Sequence, residues 1–186
     1  MAGPRLAVAL TLRDTVVVDA AAQYRHLVGL GKDEFLAAAA PAALVRYRAV
    51  DLGADSGDQT LTIDDAGQET MPIGKVSLGD VINIEVYPLV KKPGASFPDR
   101  ITIGRTANND IVLAEASISR LHAYLRRQGA GWVVADGGSK NGSWLRGETL
   151  EPRREKPITS RTVLRLGDVD LTFYLAPDLY GVLGGV

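Results

Sequence analysis

Three short polar signals in the middle of the chain carry side chains suited to holding an anion: Gly104-Arg105, Ser119-Arg120-Leu121-His122 and Ser139-Lys140-Asn141-Gly142. Arginine offers a planar fork of donors that can meet two oxygens at once. Serine and asparagine add neutral donors, and lysine adds a compact positive charge. Each signal sits where alternating apolar residues, as in Ile101/Ile103 or Leu121/Ala123/Leu125, give way to a turn. That is the pattern of half-buried strands ending in loops. The expected chemistry is binding of an oxyanion by loops on a β framework, with no proton transfer asked of any side chain.

Other chemistries fit less well. Ser119, His122 and Asp136 supply the residue types of a nucleophile, a base and its partner, but no Gly-x-Ser-x-Gly elbow surrounds Ser119. Gly137, Gly138 and Gly142 do not form a phosphate loop, because no Gly-Lys-Ser/Thr followed by a helix accompanies them. With no cysteine and 2 histidines, disulfides and thiolate metal sites are excluded, and no cofactor is expected. Each signal alone has an ordinary explanation: a solvated arginine, a buttressing histidine, an Asn-Gly hairpin turn. Their combination points to a site.

The elements that must position these residues follow from the pattern around them. The 186 residues are 46% hydrophobic and 23% charged, with a formal net charge of −1. Such a chain makes one globular domain with an extension, or two small domains. The charge balance argues against a general binder of nucleic acid or anionic membrane. No run approaches membrane-spanning length or reads as a signal peptide, so a cytoplasmic location is expected.

Residues 6–12 alternate as a first strand. Tyr24, Leu27 and Val28, then Phe35, Leu36 and Ala39, fall at helical spacing; divided by Gly29 and Gly31, they predict two short helices ending before Pro41. A strand over 42–50, a polar loop and half a hairpin around 61–67 come next. From 76 a continuous β region is expected to run to Leu175, with an exposed turn at 91–96 and Pro98 opening the following strand. Strands over 132–134, at Trp144, and over 163–166 and 169–175 complete a set whose regular spacing suits a sandwich. The echo of Leu78-Gly79-Asp80-Val81 in Leu166-Gly167-Asp168-Val169 is hairpin chemistry, too short for a repeat. Leu179, Tyr180 and Leu183 suggest one apolar turn covering an edge. The fold class is mainly β: an antiparallel β-sandwich with an N-terminal α+β extension. The expected division is 1–80 for the extension, 81–176 for the binding domain and 177–186 for a tail. The extension has few large apolar side chains and is expected to dock through Tyr24, Leu27, Phe35 and Leu36.

In order, the chain presents Gly104-Arg105, Asn109-Asp110-Ile111-Val112-Leu113, Ser117-Ile118-Ser119-Arg120-Leu121-His122-Ala123, Asp136 ahead of Ser139-Lys140-Asn141-Gly142-Ser143, and Leu166-Gly167-Asp168-Val169. As an ordered set over residues 81–175 this resembles the forkhead-associated domain, a β-sandwich that binds phosphothreonine. The resemblance implies that Arg105 meets the phosphate, that Ser119 bonds one of its oxygens and that Arg120 faces it. It implies that Asn141, with Lys140 beside it, holds the bound peptide, while Gly104, His122 and Gly142 support the loops. Lys140 stands where the family often has threonine or serine, and Ser143 where threonine is usual, which bears on peptide preference. The implied function is a phosphothreonine-dependent protein–protein interaction module, not an enzyme. Its partner would be a threonine-phosphorylated protein made by an upstream Ser/Thr kinase, with no nucleic acid or membrane involved. The alternative is a phosphate-independent scaffold built on the same fold. The physics agrees: a phosphothreonine brings a charge of about −1.5 to −2 and three acceptor oxygens, which rigidly held donors can match.

Overall fold

A computed structural model describes residues 20–49, 82–94 and 96–185 of the chain. The expected strand over 6–12, the half hairpin around 61–67 and the first copy of the Leu-Gly-Asp-Val echo lie outside them.

Two helices open the described chain, α1 (Ala20–Leu30) and α2 (Lys32–Ala38). Gly31 separates them at φ 117°, a conformation that side chains with a Cβ rarely adopt. Asp33 and Glu34 lie in the first turn of α2, where they complement the helix dipole. Strands β1 (Ala42–Ala49) and β2 (Ile82–Pro88) follow, then β3 (Ile101–Gly104), β4 (Ile111–Val112), β5 (Ala123–Gln128) and β6 (Gly131–Asp136). The chain continues through β7 (Ser143–Leu145), β8 (Glu148–Thr149), β9 (Lys156–Ile158), β10 (Thr162–Leu166) and β11 (Val169–Leu175) to a last helix, α3 (Ala176–Val182).

The strands form two sheets, ordered β2-β1-β11-β10-β7-β8 and β4-β3-β5-β6-β9. Leu44, Leu164, Leu166, Leu171 and Phe173 from the first meet Ile103, Leu125, Trp132 and Val134 from the second in one buried core. Trp132 packs edge-on against Phe173, with ring centroids 6.1 Å apart. The fold is the expected β-sandwich with N-terminal helices. One pairing departs from the antiparallel expectation: β3 and β4 are parallel. The six residues between them (105–110) must fold back on themselves, and the turn they make carries Arg105.

Strand β1, which precedes residue 80, belongs to the first sheet. Strand β1 sits between β11 and β2, aligning Leu44 with Phe173 on one side and with Tyr87 on the other. Leu44 joins the inter-sheet core, while Ala43 and Val45 point the opposite way into a second apolar cluster with Tyr24, Phe35, Val86, Tyr174, Leu179 and Tyr180. Burial on both faces explains why Ala42-Ala43-Leu44-Val45 is continuously apolar. Phe35 lies edge-on between Tyr24 and Tyr180, at 5.8 and 5.3 Å. Leu179 and Tyr180 therefore belong to a helix that covers a sheet face, with Leu183 as its C-cap, and not to a turn that covers an edge. Of the expected docking residues, Tyr24 and Phe35 are buried and Leu27 is partly buried, but Leu36 is exposed. Pro98 also differs from expectation. It lies in a turn three residues ahead of β3, because the chain first passes through Phe97 at positive φ.

Candidate functional site

The three polar signals converge at one end of the sandwich. Arg105, Ser119, Arg120, Lys140 and Asn141 all line a single open groove of about 900 Å³. None of its lining residues is acidic. Arg105, Arg120 and Lys140 make no ion pair among the described residues, whereas Arg46, Arg48, Lys91, Arg100, Arg126, Arg154, Lys156, Arg161 and Arg165 each have a carboxylate within 4 Å. The result is a concentration of uncompensated positive charge in one place on a chain whose net charge is −1.

The groove is held by a network of small polar residues under it. Gly104 ends β3 directly below the 120 carbonyl; a Cβ there would collide with Arg120 O and lie 2.6 Å from Asn109 Nδ2. The next residue, Arg105, donates its amide to Ser119 O at 2.9 Å, which places its side chain beside the serine. Asn109, buried to 2% exposure, donates to Arg120 O at 2.7 Å and to Thr106 O at 2.9 Å. It thus ties the β3–β4 turn to the β4–β5 loop.

His122 is fully buried. Its Nδ1 accepts from the Ser119 amide at 3.0 Å, and its Nε2 faces Gly142 O at 3.0 Å, so the ring bridges two site loops as a neutral Nε2–H tautomer. That geometry removes the hydrolase arrangement. The nitrogen lone pair is used on a backbone amide, and the Ser119 hydroxyl accepts from the Lys140 amide at 2.9 Å. Asp136 is turned elsewhere as well. Its carboxylate accepts from the Gly138 and Ser139 amides at 2.7 and 2.8 Å, and from the Ser139 and Ser143 hydroxyls at 2.6 and 2.5 Å. Burial pushes the Asp136 carboxyl up, but the hydrogen bonds from Ser139, Ser143 and Gly138 outweigh it and hold the group below the ordinary carboxylate value.

This carboxylate shapes the β6–β7 turn, which presents Lys140 and Asn141. Gly142 completes the turn at φ 81°. Asn141 donates through Nδ2 to Ser117 O at 2.8 Å, so its side chain is fixed before any ligand arrives. Ser143, one of the two departures from the family pattern, spends its hydroxyl on Asp136 and lies fully buried. Its difference from threonine is therefore felt inside the fold.

Sequence reasoning did not single out Asn109, Ser117, Thr106 or Ser139 as site residues. Asn109, Ser117 and Ser139 stood inside the quoted motifs, yet small polar residues in loops look like turn formers, and only the close approach of three loops reveals them as braces. Among the described residues no group of acidic or histidine side chains could hold a metal, and no helix is long and apolar enough to cross a membrane.

Comparison with known proteins gives a consistent picture. Residues 101–167 match the model of the FHA domain. The chain is 36% identical over 76 residues to the oxoglutarate dehydrogenase inhibitor of Corynebacterium diphtheriae, covering 41% of this chain and 51% of that protein. It is 31% identical over 125 residues to the transcriptional regulatory protein EmbR of Mycobacterium tuberculosis, covering 66% of this chain and 29% of the relative. The chain thus spans about half or less of the relatives it matches. Among solved structures, Mycobacterium tuberculosis EmbR in complex with a low-affinity phosphopeptide is similar over 41% of this chain and 20% of its own, at 31% identity and a TM-score of 0.39. The matched segment takes in β3 to β10 and every residue of the groove, and residues 101–167 of this chain are a member of the FHA domain family.

Proposed function

We propose that the groove binds a phosphothreonine in an extended segment of a partner protein, making this chain a phosphorylation-dependent interaction module in signalling. The observation that carries the reading is the set of three unpaired cations, Arg105, Arg120 and Lys140, around the Ser119 hydroxyl in a groove without acidic residues. Arg105 is assigned to the phosphate as a bidentate partner, Ser119 to a third oxygen, and Arg120 and Lys140 to the surrounding charge. Asn141 is assigned to the backbone of the bound segment, and Gly104, His122 and Gly142 to support. The relatives named for EmbR and for an oxoglutarate dehydrogenase inhibitor are regulators, which favours a binding role over an enzymatic one. A cytoplasmic site of action, where a threonine kinase and its substrates meet, goes with this reading. We also propose that the structural unit begins at α1 and β1, because β1 supplies both neighbours of its sheet with hydrogen bonds.

The test is calorimetric titration of the full chain with phosphothreonine peptides and their unphosphorylated counterparts. Phosphate-dependent binding that disappears in Arg105→Ala is the expected result. Equal binding of phosphorylated and plain peptides would instead favour a phosphate-independent scaffold on the same fold.

A further inference from the structure

A second, smaller depression of about 340 Å³ adjoins the groove. Leu121 lines both, and at their common corner Gly137 faces the smaller and Gly138 the larger. The smaller cleft is walled by Phe97, Arg100 and Tyr124, with Thr102 and the cation Arg153 completing its lining. Phe97 sits at φ 63° with its side chain 49% exposed, a backbone region that residues with large side chains avoid and that collects at functional positions. The loop that carries it is pinned. Lys91 Nζ donates to Ser96 O at 2.8 Å, to Arg100 O at 3.0 Å and to Asp110 Oδ2 at 2.8 Å. An aromatic ring is thus displayed at a strained position by a loop tied down on both sides of it.

The other walls suit a flat aromatic guest, since Arg100 and Arg153 add cations to the ring of Tyr124. The Arg100 guanidinium lies 4.6 Å over the Tyr124 ring and 5.6 Å from that of Phe97. Its charge is matched by Asp99 at 2.7 Å, so the arginine presents a flat, neutralised face. The cleft has room for about one large side chain. A chain leaving the groove past Leu121 enters it directly.

We infer that the Phe97–Arg100–Tyr124 cleft receives one aromatic side chain from the same phosphorylated segment that fills the groove. The inference rests on the phosphothreonine reading and adds a second anchor to it. Flat rings match the available faces, and covalent continuity with the anchored phosphothreonine gives a weak contact a high effective concentration.

The experiment captures a phosphothreonine peptide library, randomised on both sides of the phosphothreonine, on the full chain. Enrichment of Phe, Tyr or Trp at one flanking position is expected. A single peptide carrying that residue should bind about fivefold tighter than its alanine analogue, and the ratio should fall below about twofold in Phe97→Ser. That variant should keep its melting temperature and its affinity for the alanine analogue, since Phe97 is exposed. Phosphate-dependent capture without aromatic enrichment overturns the inference, as does an aromatic advantage that survives in Phe97→Ser or an equal loss for both peptides. Absence of any phosphate-dependent capture overturns the phosphothreonine reading and this inference with it.

Discussion

Arg46 and Glu115, 69 residues apart in sequence, meet at 2.8 Å where the N-terminal strand reaches the loop that carries Ser119. Arg48 reaches the same Glu115 oxygen at 2.8 Å, and the guanidinium of Arg48 also pairs with Glu85 at 3.0 Å. The Arg48–Glu115 contact is exposed and worth little to global stability, about 0–1 kcal/mol, while the Arg46–Glu115 contact is part-buried. Their effect is local. Glu115 O accepts the amide of Ile118 at 3.1 Å, so fixing the glutamate fixes the turn that leads to Ser119. Arg46→Ala is expected to weaken phosphopeptide binding severalfold while lowering the melting temperature little. In a double-mutant cycle with Glu115→Ala, calorimetry should give a non-additive loss; additive losses would mean that the pair does not act as a unit.

The groove cations should not be equivalent. Arg105→Ala is expected to cost about 2–5 kcal/mol of phosphopeptide affinity, the usual loss for one partner of a desolvated charge pair. Lys140→Ala and Arg120→Ala should cost about 0–1 kcal/mol each and reduce the salt dependence of binding. Titrations at two ionic strengths separate these outcomes. Complete loss from Lys140→Ala would move the centre of the pocket towards the β6–β7 turn.

Gly104→Ala should damage both fold and binding. The added methyl meets the Arg120 carbonyl, a backbone atom that cannot step aside without moving the loop. A destabilisation of about 1–3 kcal/mol is expected from overpacking, read from urea unfolding, with loss of phosphopeptide affinity beyond what partial unfolding explains. Wild-type affinity in a folded Gly104→Ala variant would show that the loop can shift freely.

Acid should unfold the site loops through Asp136. Its folded pKa lies below the ordinary value, so the unfolded chain takes up the proton more readily. The stabilisation is fully present above the unfolded pKa of about 4 and is lost as pH falls through the folded pKa. Stability should therefore be flat with respect to this group from neutral pH down to about 5 and decline below about 4. Asp136→Asn is expected to flatten that decline while costing about 2 kcal/mol or more at pH 7, because a neutral amide cannot accept from four donors. Urea melts from pH 3 to pH 7 on both proteins check this.

Phosphothreonine should bind more tightly than phosphoserine by about fourfold, the worth of one buried methyl near 0.8 kcal/mol. Ala116, Ile118 and Leu121 are the apolar residues that line the groove and are its candidate walls. A glutamate mimic should bind worst, since a carboxylate leaves donors of Arg105 and Ser119 unmatched. Fluorescence anisotropy on one peptide with each residue in turn gives the order, and equal affinity for the two phosphopeptides would remove the methyl contact.

The residues that line the groove were legible because each marks a change of local pattern: alternating apolar residues stop, and a glycine, arginine or asparagine begins a turn. The two N-terminal helices and the strand over 42–49 were legible for the same local reason. The neighbours of that strand were not. Sheet pairing between residues far apart leaves no periodic trace, and nothing near Ala42 records that its partner is Leu175. The parallel pairing of β3 and β4 was equally silent, since strands this short look alike in either direction. Nor does a run of small polar residues reveal that Asn109 is buried while Asn108 is exposed.

The central place of β1 has a kinetic consequence. Tyr47 and Tyr174, 127 residues apart, share a hydrogen bond of 2.9 Å, and β1 cannot acquire its β11 neighbour until almost all of the described chain has left the ribosome. Contacts this distant slow folding towards the millisecond-to-second range. In the interval, Ala42-Ala43-Leu44-Val45 is an apolar strand with an open edge, the kind of segment that pairs with other chains. The charges that follow it, Arg46 and Arg48, then act as gatekeepers during synthesis, well before they take up Glu115 in the finished fold.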